Sequence, residues 1–357
     1  MSAAAVSRLD LYRDLFLSLF SLACGRLYPS LHPQPADLTG KVAIVTGANS
    51  GIGLHIVIEL VRQKATGYLA CRNTARAEEA ISQIISAVPD SAHRIKTLLL
   101  DTSSLSSVRQ CAERWKNEGS EIDILVHNAG IGSTPPGHPF TSDGFPIIYA
   151  TNLLGSFALT QHLEPHLSNE ARIIFTSSTG QYSGNFTPTF SLAAIRNQLE
   201  SGFHAPRAAV KADGTAVDSS IYSNAKAMQV TFAKLLQSRW DTVAKEKGRV
   251  NDRVVHAFSP GFTMTPIFGK ITAPTIWKDP VYWFLRATTV LATDVSQGAA
   301  TAVWLATTDD EAVVGQGMGG RFWERMTRRV TGADLMSTER LERFWIRWEA
   351  DAGTSWR

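Results

Sequence analysis

Tyr222 and Lys226 stand four residues apart in YSNAK, and on a helix that spacing places a phenol and an amine on one face. A phenol ordinarily titrates near pH 10. A cation within about 4–6 Å lowers that by about 1–3 units, which brings the group into working range as a general acid or base. Taken alone, the pair also fits an amphipathic helix with a snorkelling lysine. A second signal is TGANSGIG, residues 46–53, which sets Gly47, Gly51 and Gly53 between the apolar run KVAIV and LHIVIELVRQ. Glycine in regular structure costs about 0.5–1 kcal/mol against alanine, so something there needs bare backbone. A strand, a glycine turn and a helix present free N–H groups and a positive dipole end, which suit a pyrophosphate, although a tight turn alone would also explain the glycines.

Such residues need a scaffold, and the pattern along the chain supplies one. The short apolar runs KVAIVT, GYLAC, IKTLLL, IDILVH, RIIFT and RVVHAF alternate with longer segments of helical period, such as TARAEEAISQIISAV and LSSVRQCAERWKN. Strands buried on both faces and separated by helices predict an α/β fold: a single Rossmann-like, doubly wound parallel sheet with helices on both faces. Residues 36–330 are expected to form this domain, with an insertion at 183–217. Residues 331–357 are read as a C-terminal helical extension, whose LERFWIRW reads either as packed helix or as an interfacial stretch.

A chain of 357 residues with 44% hydrophobic and 19% charged residues has the composition of a globular protein with a sizeable core. A formal charge of +3, without a basic block or an aromatic-interleaved basic stripe, argues against nucleic acid. Cys24, Cys71 and Cys111 form no CxxC pair and suggest neither a disulfide framework nor a zinc site, which fits a reducing, cytoplasmic setting. His162 and His166 share a helical spacing, but Pro165 interrupts them and no HExxH pattern is present, so no metal is expected. Residues 1–35 hold an apolar stretch, LDLYRDLFLSLFSLACGRLY, too short and too charged to span a bilayer. Two readings stay open for it: a helix in a membrane interface, giving peripheral membrane contact, or one docked on the protein's own body.

The TGxxxGxG spacing, with the motifs that follow it in order, resembles the short-chain dehydrogenase/reductase family from about Lys41 to about Trp323. Asp101, followed by Thr102, ends the third strand, where the resemblance implies a contact with adenine. HNAG, residues 127–130, departs from the usual NNAG in its first residue, while Asn128, Ala129 and Gly130 match. Asn152 falls at the family's helical asparagine, IIFTSS brings Ser178, YSNAK brings Tyr222 and Lys226, and SPGFTMT brings Pro260, Gly261 and Thr265. By that resemblance Ser178, Tyr222, Lys226 and Asn152 are catalytic. Gly47, Asn49, Ser50, Gly51, Ile52, Gly53, Arg72, Asp101, Thr102, Asn128, Ala129, Gly130, Tyr222, Lys226, Pro260, Gly261 and Thr265 bind the dinucleotide. Ser177 and Tyr182 compete for these roles, but the family's serine is the second of the pair, and Phe186 rather than lysine lies four residues after Tyr182.

The resemblance implies that Tyr222 protonates a carbonyl oxygen held by Ser178 as hydride arrives from the nicotinamide. Lys226 would hold the nicotinamide ribose and tune Tyr222, and Asn152 would keep a water in the proton path. At the end of the second strand LACRN carries Arg72 with no acid before Glu78, and a guanidinium there fits the extra phosphate of NADP. NADP(H) is therefore the expected cofactor. LACRN, the long insertion, the aromatic loop after Thr265 and the apolar start together resemble the retinol-dehydrogenase-like branch and enzymes of secondary metabolism. That implies a small-molecule substrate that is bulky and apolar, such as a retinoid, steroid or lipid. Family members commonly pair through the helices carrying Asn152 and Tyr222, so a homo-oligomer is implied. The rival readings are reduction of an activated double bond or aromatic ring, and an NADP(H)-binding sensor or scaffold without turnover.

Overall fold

The computed structural model describes residues 6–135, 138–184, 219–263 and 292–356. Each apolar run expected as a strand becomes one: β1 Val42–Thr46, β2 Thr66–Cys71, β3 Ile95–Leu99, β4 Ile122–His127, β5 Leu167–Thr176 and β6 Val254–Ser259. Two further strands, β7 Arg321–Glu324 and β8 Thr327–Arg329, extend the sheet, giving the order β3-β2-β1-β4-β5-β6-β7-β8. The expected parallel sheet is formed by β1 to β7, and β8 adds one antiparallel edge strand to it as the return arm of a hairpin. At four and three residues β7 and β8 are too short to carry a readable period.

The alternation along each strand sends neighbours to opposite faces. Ile44, Leu125, Ile173 and Phe175 point to one core and Ala43, Val45, Val126 and Ile174 to the other. α2 Gly51–Arg62, α3 Thr74–Ala87 and α8 Val295–Thr307 cover the second face. The first is covered by α4 Leu105–Glu118, α6 Gly155–Leu163, α7 Ser219–Glu246 and α10 Thr338–Ala352. Short turns of helix, α5 Ile147–Tyr149 and α9 Glu311–Val314, complete the series. Helix starts follow side-chain chemistry: the Asn73 and Ser104 oxygens accept from Arg76 N–H at 3.0 Å and Ser107 N–H at 3.3 Å, capping α3 and α4.

The two ends of the chain are both helices seated on the body of the protein. LERFWIRW belongs to α10, which buries Phe344, Trp345 and Trp348 against Phe157 of α6 and Phe232 of α7, so its aromatics are packing. That seat lies on the same two helices through which copies were expected to pair, and the chain's own C-terminal helix occupies it. At the other end α1 Arg8–Cys24 docks on the body, with its Asp14 carboxylate accepting from Val330 N–H at 2.7 Å. No helix among the described residues is long and apolar enough to cross a membrane.

Candidate active site

The strand order reverses between β1 and β4: the chain steps outward through β2 and β3, then returns to the other side of β1. At such a switch point the loops leaving the carboxyl ends of adjacent strands part and open a crevice. The sequence puts its glycine turn and its NAG at those two ends, and the structure locks them together. The Thr46 hydroxyl accepts from Asn128 N–H at 3.0 Å and from Ala129 N–H at 2.9 Å, while the Asn128 amide donates to Thr46 O at 3.1 Å and Gly47 O at 3.3 Å.

This contact explains two of the glycines. Gly47 adopts φ +64°, and a Cβ there would lie 2.9 Å from the Ala129 Cα. At Gly53 it would lie 2.4 Å from the Asn128 amide nitrogen and 2.7 Å from Gly47 O. Ser50 stands at the N-cap of α2 without a side-chain capping bond, so its side chain leaves the first N–H groups of that helix uncapped and able to receive an anion. Bare backbone, uncapped donors and a dipole end therefore fit a dinucleotide pyrophosphate, with Asn49 and Ile52 in the same turn. Arg72 stands exposed just past β2, and the Asp101 carboxylate beyond β3 accepts from Ser103 N–H at 2.9 Å. Thr102 is buried, its backbone packed so closely on α6 that a Cβ at Gly155 would lie 2.0 Å from Thr102 O.

Further along the crevice, α7 presents Tyr222 and Lys226 as their spacing requires, with the Lys226 Nζ 5.5 Å from the centre of the Tyr222 ring. Lys226 is buried and donates to Thr176 O at 2.7 Å, at the end of β5. Ser178, two residues on, is bonded to the Tyr222 phenol and accepts from Gly180 N–H at 3.0 Å. Gly130 approaches from β4: a Cβ there would be 3.2 Å from Asn152 Oδ1 and 3.6 Å from Lys226 Nζ. Asn152 lies in a π-helical turn, Ala150–Leu154, accepts from Ile131 N–H at 2.8 Å, and is fully buried. Pro260 and Gly261 follow β6 into the same region, Gly261 at φ +73°. Thr265, most of the 183–217 insertion and the aromatic run from Ile267 to Phe284 lie outside the described residues.

The electrostatics correct one expectation. Lys226 was to lower the phenol's pKa, but burial instead raises Tyr222 above its ordinary value, with only the Ser178 bond pulling the other way. Burial also pushes the Lys226 ammonium down to about 7, since taking the charge out of water costs more than its single carbonyl partner returns. The protein's own groups thus leave a protonated phenol beside an amine poised near neutrality. The two rivals are both engaged elsewhere: the Ser177 hydroxyl donates to Lys226 O at 2.8 Å, and the Tyr182 hydroxyl to Val330 O at 2.9 Å.

Several supporting residues carried no sequence signal. Gln229 donates to Asn152 O at 2.6 Å and steadies the π turn. The turn after Ser178 is held by Thr179, whose hydroxyl lies 3.1 Å from Ser259 Oγ and donates to the buried Glu324 at 3.2 Å. Ser259 Oγ also accepts from Gly261 N–H at 3.2 Å, so one hydroxyl joins the Ser178 turn to the Pro260–Gly261 loop. Only the strand pairing that brings β7 beside β6 puts Glu324 there.

Residues 41–191 match the short chain dehydrogenase family. A short-chain dehydrogenase/reductase of Armillaria gallica is 31% identical over 307 residues, 83% of this chain and 86% of that protein. Retinol dehydrogenase 13 of Homo sapiens is 38% identical over 155 residues, 43% of this chain and 46% of that one. Among solved structures, L-sorbose reductase from Gluconobacter frateurii, complexed with NADPH and L-sorbose, superposes with a TM-score of 0.56 at 20% identity, covering 85% of this chain and all of the other. Fold, crevice and sequence agree: the chain belongs to the short-chain dehydrogenase/reductase family of oxidoreductases, on its retinol-dehydrogenase-like branch.

Proposed function

We propose that the protein is an NADP(H)-dependent oxidoreductase that interconverts a carbonyl and an alcohol on a bulky apolar small molecule. The observation that carries this reading is the meeting of Ser178, Tyr222 and Lys226 beside the glycine cradle of β1 and β4. A dinucleotide held by its pyrophosphate in that cradle would supply or accept hydride at its nicotinamide. Ser178 holds the substrate oxygen next to the phenol to which it is itself bonded. Tyr222, kept protonated by burial, delivers its proton to that oxygen as the carbonyl becomes an alcohol, and takes one back in the reverse direction. Lys226, fixed to Thr176 O, would hold the ribose of the cofactor and exchange protons with the phenol, which its pKa of about 7 equips it to do. Asn152, anchored on both sides by Ile131 and Gln229, keeps the proton path in place.

Arg72 supports the phosphate-bearing cofactor, because a guanidinium follows β2 there and no acid follows it in the sequence before Glu78. NADPH in the L-sorbose reductase structure is consistent with that choice. Similarity to retinol dehydrogenase 13 supports the apolar substrate class. The test is a spectrophotometric assay of NADPH and NADH oxidation with all-trans-retinal, a steroid ketone and decanal. Higher efficiency with NADPH is expected, and equal or higher efficiency with NADH overturns the cofactor assignment. In Tyr222→Phe turnover should fall by about 10²–10⁴ while NADPH fluorescence still reports binding. Unchanged turnover, or lost NADPH binding, refutes the role given to the phenol.

A further inference from the structure

The α1 helix is built inside out. Its buried residues are Asp14, Ser18 and Ser21, whereas Leu9, Tyr12, Phe16, Leu19 and Phe20 are between 48% and 80% exposed. With Leu27 and Tyr28 in the turn that follows, this one segment holds seven of the twelve large hydrophobic side chains exposed among the described residues. The other five are scattered singly over β3, α7, the stretch that follows α7, the turn before α10 and α10 itself. Exposed apolar surface gathered in this way marks an interaction site, because a solvated surface has no use for it. Phe16 and Phe20 stack with ring centres 6.4 Å apart, and Tyr28 meets Phe20 edge-on at 6.3 Å, so the surface is continuous.

The charges say what covers it. At about 100° per residue, Leu19, Tyr12, Phe16, Leu9 and Phe20 fall within an arc of about 100°, and Arg8 and Arg13 stand just outside its two edges. Arg26 follows at the helix end, and the Arg325 guanidinium lies 4.7 Å from the centre of the Tyr28 ring. Of the acids of the segment, Asp14 is buried on Val330 N–H and pairs with Arg13 at 3.1 Å, and Asp10 accepts from the Ser7 N–H and hydroxyl at 3.0 and 2.7 Å and pairs with Arg13 at 3.2 Å, so the arginines Arg8, Arg13 and Arg26 outnumber the acids. An aromatic and leucine arc edged by arginines, lying along the surface, has the chemistry of a helix seated in the plane of a phospholipid headgroup layer.

We propose that the outer face of α1 is a docking surface for an anionic phospholipid bilayer. The same helix rests by its polar face on the Thr179–Ser183 turn that follows Ser178. Docking therefore sets the catalytic end of the sheet beside the lipid, a consequence that rests on the oxidoreductase reading; the lipid contact itself does not.

Sedimentation of the full chain with sucrose-loaded vesicles tests the contact without reading turnover. The protein should pellet with phosphatidylcholine vesicles containing phosphatidylserine, and less with phosphatidylcholine alone or at high salt. A Phe16→Ser, Phe20→Ser double variant should lose at least about tenfold in partition while melting like the parent, since both rings already face water. Arg8→Gln with Arg13→Gln should cost about fivefold or more, and only on the anionic vesicles. A full-length protein that stays in the supernatant with both vesicle types overturns the proposal. So does light scattering that shows a dimer, dissolved by the phenylalanine changes and indifferent to vesicles, which would assign the face to a second copy.

Discussion

The two terminal helices, α1 and α10, are both amphipathic and sit on the protein with opposite polarity. α10 turns Leu341, Phe344, Trp345 and Trp348 inward and most of its charges outward, where Arg343 pairs with Glu339, while Asp351, the partner of Arg347, is largely buried against the Tyr149 hydroxyl. α1 turns Asp14, Ser18 and Ser21 inward and its aromatics outward. The difference lies in the seats. Under α10 are Phe157 and Phe232, apolar rings that reward area. Under α1 are polar groups that need partners: Val330 N–H at the end of the last strand, and Tyr182 and Glu324, which face Ser18. An amphipathic pattern fixes which arc of a helix is apolar; the surface it meets decides which arc is buried.

The comparison is broken most directly at Trp345. Its ring packs within 5.3 Å of Phe157 and 4.8 Å of Trp356, centre to centre, under an Arg239 guanidinium 4.0 Å away. Trp345→Ala should cost about 3–5 kcal/mol in denaturant unfolding, the usual range for emptying a large aromatic site. A loss below about 1 kcal/mol would show that α10 is an appendage, and the contrast between the two seats would fail. On α1 the sensitive residue is the acid. Asp14→Ala leaves a buried Val330 N–H without its acceptor and should cost about 1–3 kcal/mol. Should that variant unfold like the parent, the polar seat is not what holds the helix.

This contrast also shows where the sequence is legible. The central parallel strands, the glycine cradle and the Tyr222–Lys226 stack follow from local periods and spacings, because each is decided within one strand, turn or helix. The pairing of β7 and β8 is not, and with it Glu324 and the seat of α1 go unread, since a four-residue strand declares itself only when β6 offers an edge. The pKa values behave alike. From spacing alone Lys226 reads as a cation that acidifies a phenol; the fold buries both groups and reverses the shift. Asn152 is legible by position in a motif, whereas the π turn that aims it depends on Gln229, 77 residues away on another helix.

The smallest effect sharpens the comparison at the polar seat itself. Burial raises the Glu324 carboxyl above its ordinary pKa, while Ser18, Arg329 at 3.6 Å and Thr179 pull it back. A carboxyl raised on folding binds more protons in the folded chain than in the unfolded one, so its contribution is fully present below the ordinary glutamate pKa of about 4.5 and is lost as pH rises through the folded value. Glu324→Gln keeps an acceptor for Thr179 and cannot ionise. Measured by denaturant unfolding at a series of pH values, the variant should therefore gain on the parent as pH climbs from about 4.5. A parent that instead gains on the variant as pH rises through about 4.5 would mean that Arg329 keeps Glu324 charged in the folded chain, and the seat of α1 would then be an ion pair rather than a neutral hydrogen-bonded cluster. No such slope is expected of Trp345→Ala, whose surroundings are rings, and that absence separates the two seats in a single experiment.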